Sequence, residues 1–137
     1  MNPEQATVRA FIVRPRQGLY LALLSDVKGR GHFLDRLLSG RDIDPAALAP
    51  FADDERKPNQ IAERLRKLGG PDDCHVISAD SALDGRESKL DDALRKICGK
   101  GKPALISCVA GRLAYFEGAD GDPVLLRAGG ARKSSRD

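Results

Sequence analysis

The feature that most constrains the fold is a group of three short apolar runs near the C-terminus, at residues 104–109, 112–117 and 123–127. Runs of this length between turn residues are typical of β-strands. Gly111 lies in the first link, and the second link, GADGDP, holds an Asp-Gly pair and a proline that marks the next strand's start. Such turns favour an antiparallel meander. Residues 104–109 are apolar on both faces, which predicts a position inside the sheet.

Two further strands are predicted upstream, at residues 7–13 and 74–78, from their β-branched and aromatic content. A helical turn is the alternative for residues 7–13. Helices are predicted where apolar residues recur every three or four positions. The helical segments are residues 19–27, a second short helix with Phe33, Leu34, Leu37 and Leu38 on one face, a single turn capped by Asp44, residues 59–68, and residues 90–98.

Helices early in the chain and strands late in the chain favour the α+β class. We predict a single α+β domain over residues 1–127, with a mostly antiparallel sheet and helices packed mainly on one side. The sheet combines the C-terminal three-strand meander with the strands near residues 7–13 and 74–78. A division into a helical half and a sheet half is the alternative, but the early strand would join the late sheet. Residues 128–137 are small, polar and basic, which predicts a disordered tail.

The charge and the cysteine content of the chain limit the classes of protein to which it can belong. The chain has 23 basic and 20 acidic side chains, a mixed surface unlike that of a dedicated nucleic-acid binder. Its three cysteines, Cys74, Cys98 and Cys108, have apolar neighbours, which indicates reduced, buried thiols in a reducing compartment. The longest apolar run, residues 19–24, is far shorter than the roughly 20 residues that span a bilayer. With no signal peptide visible, we expect a cytoplasmic protein without a membrane partner.

The segment DSALDGRESKLDD, residues 80–92, resembles the start of a calcium loop. Ala82, however, stands where such a loop needs an oxygen ligand, and a strand precedes the segment where a helix is required. Ser88 with Asp91 resembles a capping box, so the sequence predicts a turn followed by a capped helix over residues 88–98. No metal site is predicted here.

The turn KGRGH, with Lys28, Gly29, Arg30, Gly31 and His32, is the candidate ligand site. Glycine-rich backbone at the start of a helix exposes N–H groups, and two cations stand beside them. This combination is typical of phosphate binding, although a basic link between two helices has the same composition.

Other candidate chemistry is weaker. The glycines of CGKGKP, residues 98–103, follow a predicted helix and lead into a strand, the reverse of a phosphate-binding loop. The cysteines and histidines lack the spacing of a zinc site. Cys108 and His75 form the one thiol–imidazole pair that neighbouring strands could bring together for nucleophilic catalysis, and a packed thiol explains Cys108 equally well.

These observations predict a small soluble binding or regulatory module without catalytic activity and without a cofactor, acting on a protein partner. The alternative is a protein that contacts phosphate or nucleic acid through residues 28–32 and the basic helix 59–68.

Overall fold

The computed structural model describes residues 2–118 and 121–128, which form one antiparallel sheet covered by helices. Single-turn 3₁₀ helices at residues 27–29, 45–47 and 53–55 connect the larger elements. The helices are α1 (Pro3–Phe11), α2 (Arg14–Leu24), α3 (Arg30–Ser39), α4 (Pro58–Lys67) and α5 (Leu90–Ile97). The strands are β1 (Leu48–Pro50), β2 (Asp73–Ser78), β3 (Glu87–Lys89), β4 (Ala104–Val109), β5 (Leu113–Glu117) and β6 (Pro123–Arg127).

The sheet order is β1-β6-β5-β4-β2-β3, and all pairs are antiparallel. The predicted meander is confirmed as β4, β5 and β6, with Ile106 opposite Tyr115. Gly111 has a φ of 73° in the first turn, a left-handed conformation that glycine adopts without steric cost. The α+β class and the strand predicted at residues 74–78 are also confirmed.

Helices cover both faces of the sheet, whereas the sequence predicted them mainly on one side. Because side chains alternate along a strand, β4 sends Ile106 to one face and Leu105 to the other. The Ile106 face packs against α4 and α5, and the Leu105 face packs against α1, α2 and α3. The central strands are therefore buried on both faces, which is why β4 is apolar throughout.

The strand predicted at residues 7–13 is wrong, because residues 7–11 belong to α1 and Ile12 forms only an isolated bridge with Ile43. The Asn2 side chain accepts a hydrogen bond of 2.7 Å from the Gln5 amide, which caps the helix, and a proline occupies its first turn. Val8 and Phe11, three residues apart, are buried on the helix face that packs against the sheet. That tertiary contact outweighs the local preference of β-branched residues for strands.

The predicted Ser88 cap is also wrong. Ser88 lies in β3 opposite Cys74, and α5 begins two residues later without a side-chain cap. Pairing with β2 holds Ser88 in the strand, and the Leu90 amide at the start of α5 donates to the Asp72 carbonyl at 2.7 Å. The helix predicted at residues 90–98 is confirmed as α5, which buries Leu90, Leu94 and Ile97 and carries acids in its first turn and bases in its last.

No helix among residues 2–118 and 121–128 is long and apolar enough to cross a membrane. The disordered tail predicted for residues 128–137 lies outside the described residues, apart from Ala128.

Candidate functional site

Arg30 joins three separate parts of the chain in a charged cluster that lines a cleft. Its guanidinium donates to Glu4 of α1 at 2.6 and 2.9 Å, and to Asp84, in the loop after β2, at 2.7 and 2.9 Å. Asp84 also accepts the Ser78 amide at 2.9 Å. Two bidentate carboxylate pairs on one guanidinium are a strong and geometrically specific arrangement.

His75, on β2, extends the cluster. Its Nε2 lies 2.8 Å from Glu4 Oε2, and its Nδ1 is hydrogen-bonded to Glu87 on β3. The strand register explains the second contact, because His75 and Glu87 stand directly opposite each other. With Glu4, Arg30 and Asp84, His75 lines a cleft of about 450 Å³.

The cluster favours the charged forms of Glu4 and His75. Burial alone would raise the pKa of Glu4, but hydrogen bonds from His75 and Arg30 and the charges of both lower it to about 2. Hydrogen bonding to Glu4 raises the pKa of His75 against the effect of burial, and Glu87 adds to the rise. Both ring nitrogens contact carboxylates, so neither is open to a proton from a substrate. We call the cluster of Glu4, Arg30, His75, Asp84 and Glu87 the clasp, because its contacts join α1 and α3 to the sheet.

We expect the clasp to make stability depend on pH through His75. A raised pKa in the folded state means that the contribution of His75 is fully present below its unfolded pKa of ~6.5 and is lost as pH rises through the folded value. His75→Gln should therefore cost about 1–2 kcal/mol at pH 5.5 and less at pH 9. Urea unfolding at both pH values measures this, with the exposed His32→Gln as control. An equal loss at both pH values would contradict it.

The five predicted anion-site residues form a continuous turn into α3, but their side chains separate. Lys28 and His32 are exposed, Gly29 is buried, and the charge of Arg30 is compensated by two carboxylates. Two backbone donors of the turn are also occupied: Asp26 accepts from the Lys28 amide at 3.0 Å and from the Gly29 amide at 2.8 Å. Anion binding at residues 28–32 stays a prediction.

The basic helix predicted at residues 59–68 is confirmed as α4, and its cations have acidic neighbours. Arg66 lies 3.2 Å from Asp72 and 2.9 Å from Asp91. Arg64 and Lys67 have longer ion pairs, at 3.8 and 3.9 Å. The surface of α4 is therefore mixed in charge.

All three cysteines are free thiols, as predicted. Burial raises the pKa values of Cys74 and Cys108 to about 12. The hypothetical thiol–imidazole pair is not formed, because Cys108 packs with Cys74 on the Ile106 face while His75 contacts Glu4 of α1 on the other. Strands β2 and β4 are neighbours, as such a pair requires. Side chains alternate between the faces of a sheet, however, and Cys108 and His75 lie on opposite faces.

We expect thiol labelling of the native protein to be slow, because the reactive thiolate is scarce at neutral pH and two of the thiols are buried. Ellman's reagent at pH 7.5 should modify Cys98 first, since it is only half-buried, and should reach all three thiols at once in 6 M guanidinium. Rapid labelling of native Cys108 would contradict this.

Glu117 is a buried carboxyl group that sequence reasoning missed. It is 3% exposed at the end of β5, accepts from the Tyr115 hydroxyl at 2.9 Å and lies 3.3 Å from the Gly99 amide. Burial raises its pKa, although these hydrogen bonds oppose the rise. Its position after four apolar strand residues was the available sequence signal.

Helix α2 and the turn that follows it carry two of the three large hydrophobic side chains that are exposed in the described chain. We define the α2 surface as Gly18, Leu19, Ala22, Asp26 and Val27, all of which are exposed. Leu19 is 39% exposed, and Val27, in the turn after α2, is 94% exposed. Tyr20 is the one residue of α2 that is fully buried, so the other apolar side chains of this helix are at least partly exposed.

The sequence predicted one helix over residues 19–27 from the spacing of its apolar residues, whereas α2 covers Arg14–Leu24, and the exposure of Leu19 and Val27 was missed. The sequence did contain a signal for this exposure. A helix that packs on one side needs a single apolar stripe, whereas α2 has apolar residues on every side. Comparisons with protein families, with curated proteins and with solved structures give no significant match for this chain.

Proposed function

We propose that this protein is a small binding module without catalytic activity, and that a protein partner docks on the α2 surface. The observation that carries the proposal is the exposure of Leu19 and Val27. Large hydrophobic side chains with exposures of 39% and 94% stand on one helix and its following turn, while Leu48 is the one other such residue in the described chain. A contiguous exposed apolar patch is typical of protein interfaces, and we propose that Leu19 and Val27 belong to one.

The reactive groups of the described chain support a binding role. Both ring nitrogens of His75 contact carboxylates, and the guanidinium of Arg30 is shared between Glu4 and Asp84. The thiols of Cys74 and Cys108 have pKa values of about 12. General base catalysis and thiol nucleophiles need groups that are accessible and poised near neutral pH.

The sheet has little surface on which a protein partner could dock. Helices cover both faces, and each edge strand has only three residues. Pro50 ends β1, and Glu87 and Lys89 place charges on β3. Short, charged or proline-containing edges discourage strand addition, so the helical layer is the better docking surface.

Affinity capture with quantitative mass spectrometry tests the proposal. The immobilised protein should retain a partner from a lysate of its source cells, and Leu19→Asp/Val27→Asp should lose that partner. Leu48→Asp is the matched control, because Leu48 is equally apolar and 41% exposed but lies on edge strand β1. Thermal melts establish that all variants fold.

Two results would contradict the proposal. One is a partner retained equally by Leu19→Asp/Val27→Asp. The other is salt-sensitive binding of a short oligonucleotide that Lys28→Ala weakens, which would favour the alternative of a phosphate-contacting protein.

A further inference from the structure

Helix α2 has a charge distribution that opposes its own dipole. Arg14 and Arg16 lie in the first turn, which contains no acidic residue, and the last turn contains no basic residue. Cations are unfavourable at the positive N-terminal end of a helix. Across residues 2–118 and 121–128, no carboxylate forms an ion pair with either arginine.

The opposite charge stands just beyond the other end of α2. Asp26 is exposed, and its carboxylate contacts the Lys28 amide of its own turn at 3.0 Å. Within one chain, the full length of α2 separates Asp26 from the arginines. A second α2 helix running antiparallel to the first would bring each arginine pair next to Asp26 of the other copy, and each helix N-terminus next to a C-terminus.

We propose, on the basis of the proposed function, that the protein docking on the α2 surface is a second copy of this chain. The two α2 helices pair antiparallel about a two-fold axis, so the same surface serves both copies. The helix centres meet between Leu19 and Ala22. With this register Arg14 and Arg16 face Asp26 of the second copy.

The side chains of the α2 surface suit such a contact. Gly18 and Ala22 are one turn apart, and a Cβ added at Gly18 would meet no atom within 4 Å. Small residues allow two helices to approach closely, while Leu19 and Val27 supply apolar area on either side. The pairing therefore covers the two most exposed hydrophobic residues of this layer.

The expected dimer is weak. Helix α2 has 11 residues, a length of about 16 Å, and such a contact buries less than the ~800 Å² per partner of a standard interface. We expect the dissociation constant to rise with ionic strength as the arginine–aspartate pairs are screened.

Sedimentation velocity of the full chain between 5 and 500 μM tests the pairing. The mass should move from 14.8 kDa toward twice that value as concentration rises. Leu19→Asp/Val27→Asp should remain monomeric across the range, and Leu48→Asp should behave like the natural sequence. A natural chain that stays monomeric at 500 μM would overturn the inference.

Charge exchange tests the antiparallel register. Arg14→Glu/Arg16→Glu should weaken dimerisation at least tenfold, and adding Asp26→Lys should restore it, because the exchanged pairs are again complementary. Arg36→Glu, on α3, is the control that should leave the dimer unchanged. Failure of Asp26→Lys to restore dimerisation would overturn the register.

Different results would reject the binding-module proposal and the proposal that the partner is a second copy of this chain. A monomeric natural chain whose captured partner depends on Leu19 and Val27 keeps the binding-module proposal and rejects the second copy. A dimer that persists in Leu19→Asp/Val27→Asp rejects the α2 surface as the interface between copies.

Discussion

Gly29→Ala should lower the free energy of unfolding by about 2–3 kcal/mol, as overpacking of a filled site does. A Cβ at residue 29 would lie 2.5 Å from the carbonyl oxygen and 3.1 Å from the Cα of Leu23. Both are backbone atoms of α2, so the clash is relieved only if α2 moves from the turn that leads to α3. Backbone strain is not the cause, because Gly29 has an ordinary φ of −83°.

Gly31→Ala is the matched control, in the same turn and of the same chemical change. A Cβ at residue 31 would meet no atom within 4 Å, and Gly31 already lies in α3. Alanine favours helix over glycine, so this variant should be neutral or more stable by up to about 1 kcal/mol. Urea unfolding of both variants measures the difference. Equal stabilities would show that α2 does not approach Gly29 as closely as described.

Arg30→Met should cost about 2–3 kcal/mol of stability, because it leaves Glu4 and Asp84 side by side without their shared cation. Breaking a fully buried pair costs more, but the side chain of Arg30 is 32% exposed and solvent screens part of the charge. Methionine retains most of the side-chain volume, so the loss reports the charge and its hydrogen bonds.

Arg36→Met is the control for Arg30→Met, since Arg36 lies on the same helix and forms no ion pair with any other described residue. It should change stability by less than about 0.5 kcal/mol. Guanidinium unfolding is unsuitable for this comparison because the salt screens charge, so urea is used. Adding Asp84→Asn to Arg30→Met should regain part of the loss, because the carboxylate left without a cation is then removed, whereas Glu4 keeps its contact with His75. No recovery would contradict the charge explanation.

Local sequence was sufficient for the elements whose apolar pattern and turn residues agree. The meander followed from three apolar runs and Gly111, and α4 followed from the helical spacing of Ile61 and Leu65. The pattern succeeded there because the buried faces repeat at the period of the element itself.

Tertiary contacts determined the secondary structure of segments whose local sequence was compatible with more than one conformation. The segment at residues 7–13 is rich in strand-forming residues, yet Val8 and Phe11 pack as a helix on the Leu105 face. Ser88 looked like a cap and became part of an edge strand, because β2 supplied hydrogen-bond partners from another part of the chain. Propensity differences are small compared with the burial of such side chains.

The candidate sites show the same division. The sequence alone identified the turn at residues 28–32 and its glycines. It could not show that Arg30 would meet Glu4 and Asp84, which lie 26 and 54 residues away in the chain. It also could not show that the apolar residues Leu19 and Val27 would be exposed. A pattern of residue types records periodicity along one element, whereas ion pairing and exposure depend on which other elements the fold places beside it.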